Sequence, residues 1–319
     1  MKKSVLFLIT AVLFVAACQE SEEMTPVVSD DVLSAQIEQD EMTKTILDEN
    51  NNVLWSSGDQ IVVFKKEPSR LQYQLNNEYI GKTYGEFSKT AGGEPEEAVW
   101  SHIVAYYPYS EVIVCEKSDD DYVLDVVLPS EQTYVSESFG NGAFPMVAVS
   151  EDTDITFKNV CGGMKLQLKG TATVKSITVV GKNNQKLSGS ATVTASTDDT
   201  KPAITMTSTE ESAKSVTLNC GEGVQLNEST ATEFIIALPP VKFTNGFSVI
   251  ITSTEGGKQT IETDMENEVL RSSLLKMPAV IFEPPVNLSA SGTANSYIVS
   301  DAGTYRFTPT KGNSAESVG

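Results

Sequence analysis

Apolar and polar positions alternate along most of the chain from Thr43 onward. Short runs such as "KTILD", "NVLWS", "QIVVF", "RLQYQL", "SHIVAYY", "VIVCE" and "YVLDVVL" are separated by clusters of Gly, Asn, Asp and Pro. Period-2 runs bounded by turn residues predict strands, and many short strands at close spacing predict an all-β sandwich or barrel. "DENNN" at 48–52 and "SDDD" at 118–121 supply turns. The second half continues in the same style. "DITFKN" places Ile155 and Phe157 on one face, and "GMKLQLKG" does the same with Met164, Leu166 and Leu168. "KSITVVGKNNQKLSGSATVTAS" predicts two strands around Lys182–Asn184, and "GFSVIITSTEGGKQTIET" predicts a hairpin across Gly256–Gly257. "EFIIALPP" ends at a double proline, which cannot continue a central strand. "NEVLRSSLLKMP" has helical spacing at Leu270, Leu274 and Met277 with Pro278 as a stop, and reads either as a helix or as a turn with three buried residues.

The first residues follow another rule. Lys2 and Lys3 precede a 12-residue apolar stretch, Ser4–Val15, and then Ala16, Ala17 and Cys18. A basic start, a short apolar run and small residues form a secretory signal. A membrane-spanning helix needs about 20 apolar residues, and acid at Gln19–Glu23 cuts this run short. "VAAC" resembles a bacterial lipobox with Val15 three before the cysteine, which makes Cys18 the lipidated first residue of the mature chain. Acyl burial stabilises by about 0.8 kcal/mol per CH₂, and more than one chain gives stable attachment. Residues 19–40 are acidic and poor in bulky apolar groups. Val27, Val28, Val32, Leu33 and Ile37 allow a short strand or helical turn within them to dock.

The expected organisation is therefore a signal at 1–17, a lipidated acidic tether at 18–42, and β domains at 43–154 and 155–285. Residues 286–319 read as a linker or an incomplete third β module, with strand-like stretches around Asp301–Gly303. The chain carries a formal net charge of −20, and loss of Lys2 and Lys3 with the leader takes the mature chain to −22. Such a field repels a phosphate backbone, so nucleic acid is excluded as a partner.

Candidate chemistry is sparse. His102 is the one histidine, which excludes His-rich zinc sites. It alternates with Trp100 and Val104 and is expected to be structural. No GxSxG elbow or GxxxxGK[ST] loop occurs, and "GNGAFP" lacks the third glycine of a dinucleotide fingerprint. The acidic turns at 119–121 and 152–154 lack the Gly and Glu of a calcium loop. No enzyme activity, cofactor or metal is expected. Cys115, Cys161 and Cys220 lie in alternating apolar patterns and read as buried small hydrophobes or, less simply, one disulfide plus a spare thiol. "AYYPYS" offers Tyr106, Tyr107 and Tyr109 either as core or as a glycan-stacking platform, with Trp55 and Trp100 as further aromatic surface.

Several stretches, in order, resemble the fimbrillin-like family, the lipoprotein pilins of type V pili. "KTILDENNNVLWSSGDQIVVF" is similar to its opening, with Trp55, Gly58 and Asp59 in a W-x-x-G-D turn. "AYYPYS" is similar to its Y-x-P-Y segment, here Tyr107, Pro108 and Tyr109. "FPMVAVSEDTDITFKNVCGGMKLQLKG" resembles the family's crossover between domains, and "IIALPPVKFTNGFSVIITSTEGG" and "LRSSLLKMPAV" its second domain. The resemblance covers about residues 43–283. It implies two tandem transthyretin-like β-sandwiches, export to the outer membrane and surface, and partners in other fimbrillin-like subunits through strand donation. A host protein or glycan would be the outward target. In polymerising relatives a cut after a basic residue frees a groove. Here residues 19–64 hold one basic residue, Lys44, and the first arginine is Arg70. The chain is therefore expected to stay joined to Cys18, as an anchor, tip or accessory subunit; the alternative is a glycan-binding lipoprotein for polysaccharide capture.

Overall fold

The computed structural model describes residues 31–38, 54–67, 69–93, 100–196, 201–284, 286–289 and 305–308. The protein is all-β. A closed barrel runs β1 (Val32–Ile37), β10 (Asp154–Asn159), β9 (Met146–Ser150), β5 (Ile103–Tyr107), β2 (Gln60–Phe64), β3 (Leu71–Leu75), β4 (Tyr84–Ala91) and back to β1. A four-stranded sheet follows the order β14 (Ala203–Met206), β13 (Gly189–Ser196), β7 (Asp121–Leu128), β6 (Val114–Ser118). A three-stranded sheet contains β16 (Thr232–Leu238), β11 (Gly162–Lys169) and β21 (Leu274–Ile281). A five-stranded sheet orders β19 (Lys258–Thr263), β18 (Phe247–Ser253), β12 (Thr173–Gly181), β15 (Ser215–Gln225) and β8 (Glu131–Thr133). Two small pairs complete the set: β17 (Val241–Phe243) with β20 (Asn267–Val269), and β22 (Val286–Ser289) in parallel with β23 (Tyr305–Thr308).

Three apolar cores explain these layers. The barrel interior holds Leu33, Ile37, Trp55, Ile61, Val63, Leu71, Tyr73, Phe87 and Phe157. Strands β2, β5 and β9 are apolar on their other face as well, where Val62, Phe64, Val104, Tyr106 and Val147 pack on Tyr122, Leu124, Val126 and Val193 of the four-stranded sheet. A strand buried on both faces reads as a continuous apolar run, which is why "IVVF" and "IVAYY" lack polar positions. The same logic governs β16. Phe234, Ile236 and Leu238 face the third core with Ile177, Val216 and Phe247, while Ile235 and Ala237 face the second.

Strand pairing crosses the position expected to divide the β domains. Residue 155 falls inside β10, which pairs with β9; β13 pairs with β7; and β8 pairs in parallel with β15. The Gln132 side chain extends this interlock by donating to the Ala237 carbonyl at 2.8 Å and accepting the Ala237 N–H at 2.9 Å, as a strand backbone would.

Neither reading of residues 267–278 holds in full, since Leu270 is 54% exposed rather than buried. Residues 267–278 form no helix: β20 ends at Val269, a turn follows with Ser272 at φ 53°, and β21 begins at Leu274. β21 pairs in parallel with β11, so these residues gain ladder hydrogen bonds that an isolated three-turn helix could not match. The strands flanking Lys182–Asn184 form, but β12 and β13 enter different sheets. The predicted strand "KTILD" lies outside the described residues, and Leu54–Ser56 of "NVLWS" are not in a strand. The hairpin across Gly256–Gly257 forms as β18–β19.

The crossover depends on close approach. A Cβ on Gly162 would stand 2.0 Å from the Leu270 carbonyl oxygen and 2.9 Å from that of Ser273. Gly162→Ala is expected to destabilise by about 3 kcal/mol through forced backbone shifts. Gly93→Ala, where the added carbon meets open space, should stay within about 0.5 kcal/mol of wild type. Urea unfolding of both variants checks this, and equal midpoints would refute it.

Candidate functional site: the inserted strand β1 and its slot

β1 occupies a two-sided slot. It pairs antiparallel with β4, matching Leu33 to Phe87 and Ala35 to Gly85. It pairs parallel with β10, matching Ala35 to Ile155 and Ile37 to Phe157. Leu33, Ala35 and Ile37 point into the barrel and are fully buried, while Ser34 and Gln36 face outward. Alternation thus fixes which side of the strand enters, since a slip by one residue would expose all three. Gly85 keeps the wall thin, because a Cβ there would come within 2.6 Å of Leu75.

The motif residues brace this slot from below. Trp55 packs edge-on against Phe87 at 4.9 Å, Phe157 at 5.7 Å and Tyr107 at 5.7 Å between ring centroids. Phe87 and Phe157 are the residues that β1 pairs with on either side. The indole therefore holds both walls. Its backbone is fixed by Trp55 N–H to Lys82 carbonyl and Gly81 N–H to Trp55 carbonyl hydrogen bonds, each 2.8 Å. Gly58 turns the chain at φ 83°, and Asp59 closes that turn by accepting the Ser56 N–H at 2.7 Å. The Tyr107 hydroxyl lies 3.1 Å from Asp59 Oδ1 and 2.7 Å from Asn141 Oδ1, and it accepts the Gly142 N–H at 3.2 Å. Pro108 follows Tyr107, and Tyr109 N–H donates to the Gln60 carbonyl at 2.8 Å. Sequence distance hid this convergence: Trp55, Asp59, Tyr107 and the 140–142 loop meet only in the fold.

Tyr106 and Tyr107 are 3% and 8% exposed. Trp55 is buried as well, and Tyr109 and Trp100 pack half-buried against the second core. This corrects the glycan-platform reading for Tyr106 and Tyr107, which take the core role read as its alternative, whereas Tyr109 lies past the end of β5. Successive tyrosines on a strand point to opposite faces, and both faces of β5 are covered. Cys18 and Lys44 lie outside the described residues.

Electrostatics follow burial. Asp59 is 3% exposed, and burial raises its carboxyl above the ordinary value of 3.8, against the lowering pull of the Ser56 N–H and the Tyr107 hydroxyl. Burial likewise raises the Tyr107 hydroxyl, with the Asp59 charge adding to it. Cys115, Cys161 and Cys220 are free and buried. Burial pushes Cys115 and Cys220 up to about 12 and raises Cys161 as well, so all three stay protonated at neutral pH. His102 Nδ1 is 2.8 Å from Ser101 Oγ and 3.2 Å from the Tyr122 hydroxyl, and its Nε2 is 3.6 Å from the exposed Glu151. These contacts tie the start of β5 to β7. Among the described residues no group of three His, Cys, Asp or Glu is placed to hold a metal.

A second cluster sits at the far end of β1. Glu38 follows the strand directly, and its N–H donates to the Phe157 carbonyl at 2.8 Å. Its Oε1 accepts the Asn159 N–H at 2.7 Å, the Ser272 hydroxyl at 3.0 Å and the Arg271 guanidinium. Arg271 also donates to the Asn159 carbonyl at 2.8 Å, and Asn159 Nδ2 donates to Ser272 Oγ at 3.2 Å. The Arg271 and Glu38 side chains are 11% and 12% exposed.

No family model and no curated protein matches the sequence. Solved structures similar to the chain include a proposed cell adhesion protein from Bacteroides ovatus, 13% identical with a TM-score of 0.45, covering 80% of this chain and 92% of that one. A proposed cell adhesion protein from Bacteroides uniformis is 14% identical with a TM-score of 0.40, covering 80% and 93%. A fimbrial protein from Bacteroides ovatus is 12% identical with a TM-score of 0.28, covering 79% and 50%. All three TM-scores are below 0.5, and no role passes from these proteins to this chain.

Two outcomes follow from the site's geometry. Trp55→Ala should cost about 3–5 kcal/mol and speed amide exchange at Leu33, Ala35 and Ile37 more than at β18; uniform acceleration would refute the bracing role. Asp59 also sets a sign. Its folded carboxyl titrates above the unfolded one, so the folded state holds more proton between 3.8 and its raised value, and stability falls as pH rises through that window. Asp59→Asn should remove this decline and leave stability at pH 7 equal to or above wild type. A steeper loss at pH 7 in urea titrations would contradict it.

Proposed function

We propose that the chain is a non-enzymatic surface lipoprotein of the fimbrillin type, held to the outer membrane by acyl chains on Cys18 and acting as a pilus anchor, tip or accessory subunit in adhesion. The carrying observation is β1, a strand from the N-terminal segment seated between β4 and β10 of its own chain. Such a seat has unpaired main-chain groups on both sides once emptied, with an apolar floor that accepts alternate side chains. That is what strand addition between subunits requires. The order of the Trp55, Asp59 and Tyr107 motifs supports the same reading.

While residues 39–53 connect β1 to the barrel, the strand competes for its seat at an effective concentration of order millimolar. No free strand of modest affinity displaces it. A subunit whose seat is filled in this way does not accept a neighbour's strand there, which suits a terminal position. Lys44 is the one basic residue in that connection. With it uncut, the barrel stays covalently tied to Cys18.

Mass spectrometry of the protein from native envelopes tests this. The expected result is a lipid on Cys18 of a continuous chain, together with detergent-resistant higher-mass species containing other fimbrial subunits. A mature start at Thr45 would assign a processed, strand-accepting shaft subunit instead. Monomer alone, in every envelope preparation, would sink the assembly role.

A further inference from the structure

We propose that the outward face of β4, β1 and β10 is a binding site for a neutral pyranose ring, as at the end of a glycan chain. The site lies on the opposite side of the strands that enclose the apolar slot, and it is independent of whether the chain assembles with other subunits. Pairing register sets six side chains in two rows across the three strands. One row runs Glu86, Ser34, Asp154, and the next Tyr84, Gln36, Thr156. Each alternates along its strand with a buried neighbour, so all six point outward. They floor a cleft of about 210 Å³. The 3₁₀ turn Asn77–Tyr79 brings the Tyr79 ring to this cleft, edge-on to Tyr84 with ring centroids 5.8 Å apart.

A pyranose has a face of C–H groups and a rim of hydroxyls. The C–H face packs on an aromatic ring, whose π face is negative, and Tyr84 is 52% exposed. The hydroxyl rim needs acceptors and donors side by side. Glu86 and Asp154 accept, while Ser34, Gln36 and Thr156 both donate and accept. Glu86 is positioned by the Tyr79 hydroxyl that donates to it, a bond that pushes the phenol up to about 12 and keeps it protonated at neutral pH. Charge narrows the class further. Carboxylates beside aromatic rings would also suit a cation, but the Lys82 ammonium already stands over both rings, 4.8 Å from the Tyr79 centroid and 5.4 Å from that of Tyr84. An anionic sugar would face Glu86 and Asp154 in a chain of net charge −20. A neutral ring meets neither obstacle. β1 supplies the middle of both rows, so the floor is complete only with that strand seated.

The test titrates the full chain with the methyl pyranosides of glucose, galactose, mannose and fucose, beside anionic methyl glucuronide and protonated methyl glucosaminide. Binding is read by saturation-transfer NMR and calorimetry. At least one neutral pyranoside is expected to bind, with both charged glycosides about tenfold weaker or more. Tyr84→Ala, at an exposed ring, should weaken that binding roughly tenfold, and Thr156→Arg should abolish it by filling the cleft. If Thr156→Arg disturbs β10, Gln36→Ala takes its place, with a loss of about threefold or more. Met265→Ala, exposed and outside the cleft, should leave binding unchanged. Binding that survives the cleft variants, or no binding of any neutral pyranoside, would overturn the site. Stronger binding of a charged glycoside would overturn the neutral class. These outcomes are separate from the lipid and subunits sought in native envelopes.

Discussion

The barrel is closed by main-chain hydrogen bonds on both edges of a single strand. β1 gives β4 and β10 their partners at once, and without it two strand edges face each other across a gap about one strand wide. Buried backbone groups left unpaired cost roughly 1–3 kcal/mol each. Burial of Leu33 and Ile37 adds about 1.5–3 kcal/mol apiece. The strand that closes the barrel is also the one nearest the acidic N-terminal segment. The strand that closes the barrel thus draws its hold from main-chain pairing on both edges and from its buried inward side chains together.

What holds the slot open to this shape is the aromatic group beneath it. Trp55 touches Phe87 and Phe157, and Tyr107 hydrogen-bonds the turn that carries Asp59. Burying Asp59 works against its charge, yet the carboxyl sits where three segments of chain meet, and its position fixes the turn that aims the indole. The second apolar layer, between the outer face of β2, β5 and β9 and the sheet of β7 and β13, backs the barrel. Of the aromatic residues that sequence order suggested for ligand stacking, Trp55 and Tyr107 build the seat, and Tyr106, Trp100 and Tyr109 pack on the second layer.

Much of this was legible in the chain. "QIVVF" coincides with β2, and the runs at 103–107, 121–128 and 232–238 became β5, β7 and β16. Their patterns are long or strongly apolar. Residues 274–281 were not legible. Leu275 and Met277 share a face, but a register shift between Lys165 and Gln167 moves the next inward residue to Val280. The irregularity broke the period of two and left a false helical spacing, in which Leu270 is 54% exposed. Pro278 is tolerated because β21 is an edge strand beside that irregularity. The strand nature of residues 32–37 was open, since Leu33, Ala35 and Ile37 alternate within acid; its partners, 50 and 120 residues away, were not readable. The Glu38–Arg271 contact spans 233 residues, and no local pattern encodes it.

That contact also resolves an apparent conflict in charge. The protein carries −20 overall, so its acidic N-terminal segment meets a repulsive field as the strand within it docks. At physiological salt the field of exposed charges fades over about 8 Å, and it acts on the rate of encounter more than on the seated state. Once a strand lies in the slot, the carboxylate after its third apolar residue feels the enclosed guanidinium and the aligned Asn159 N–H at contact distance. Repulsion at long range is weak, and one cluster of donors at short range fixes the register of the strand that carries Glu38. The same acid that makes the N-terminal segment look like a solvated tether is, at one position, the group that seats it.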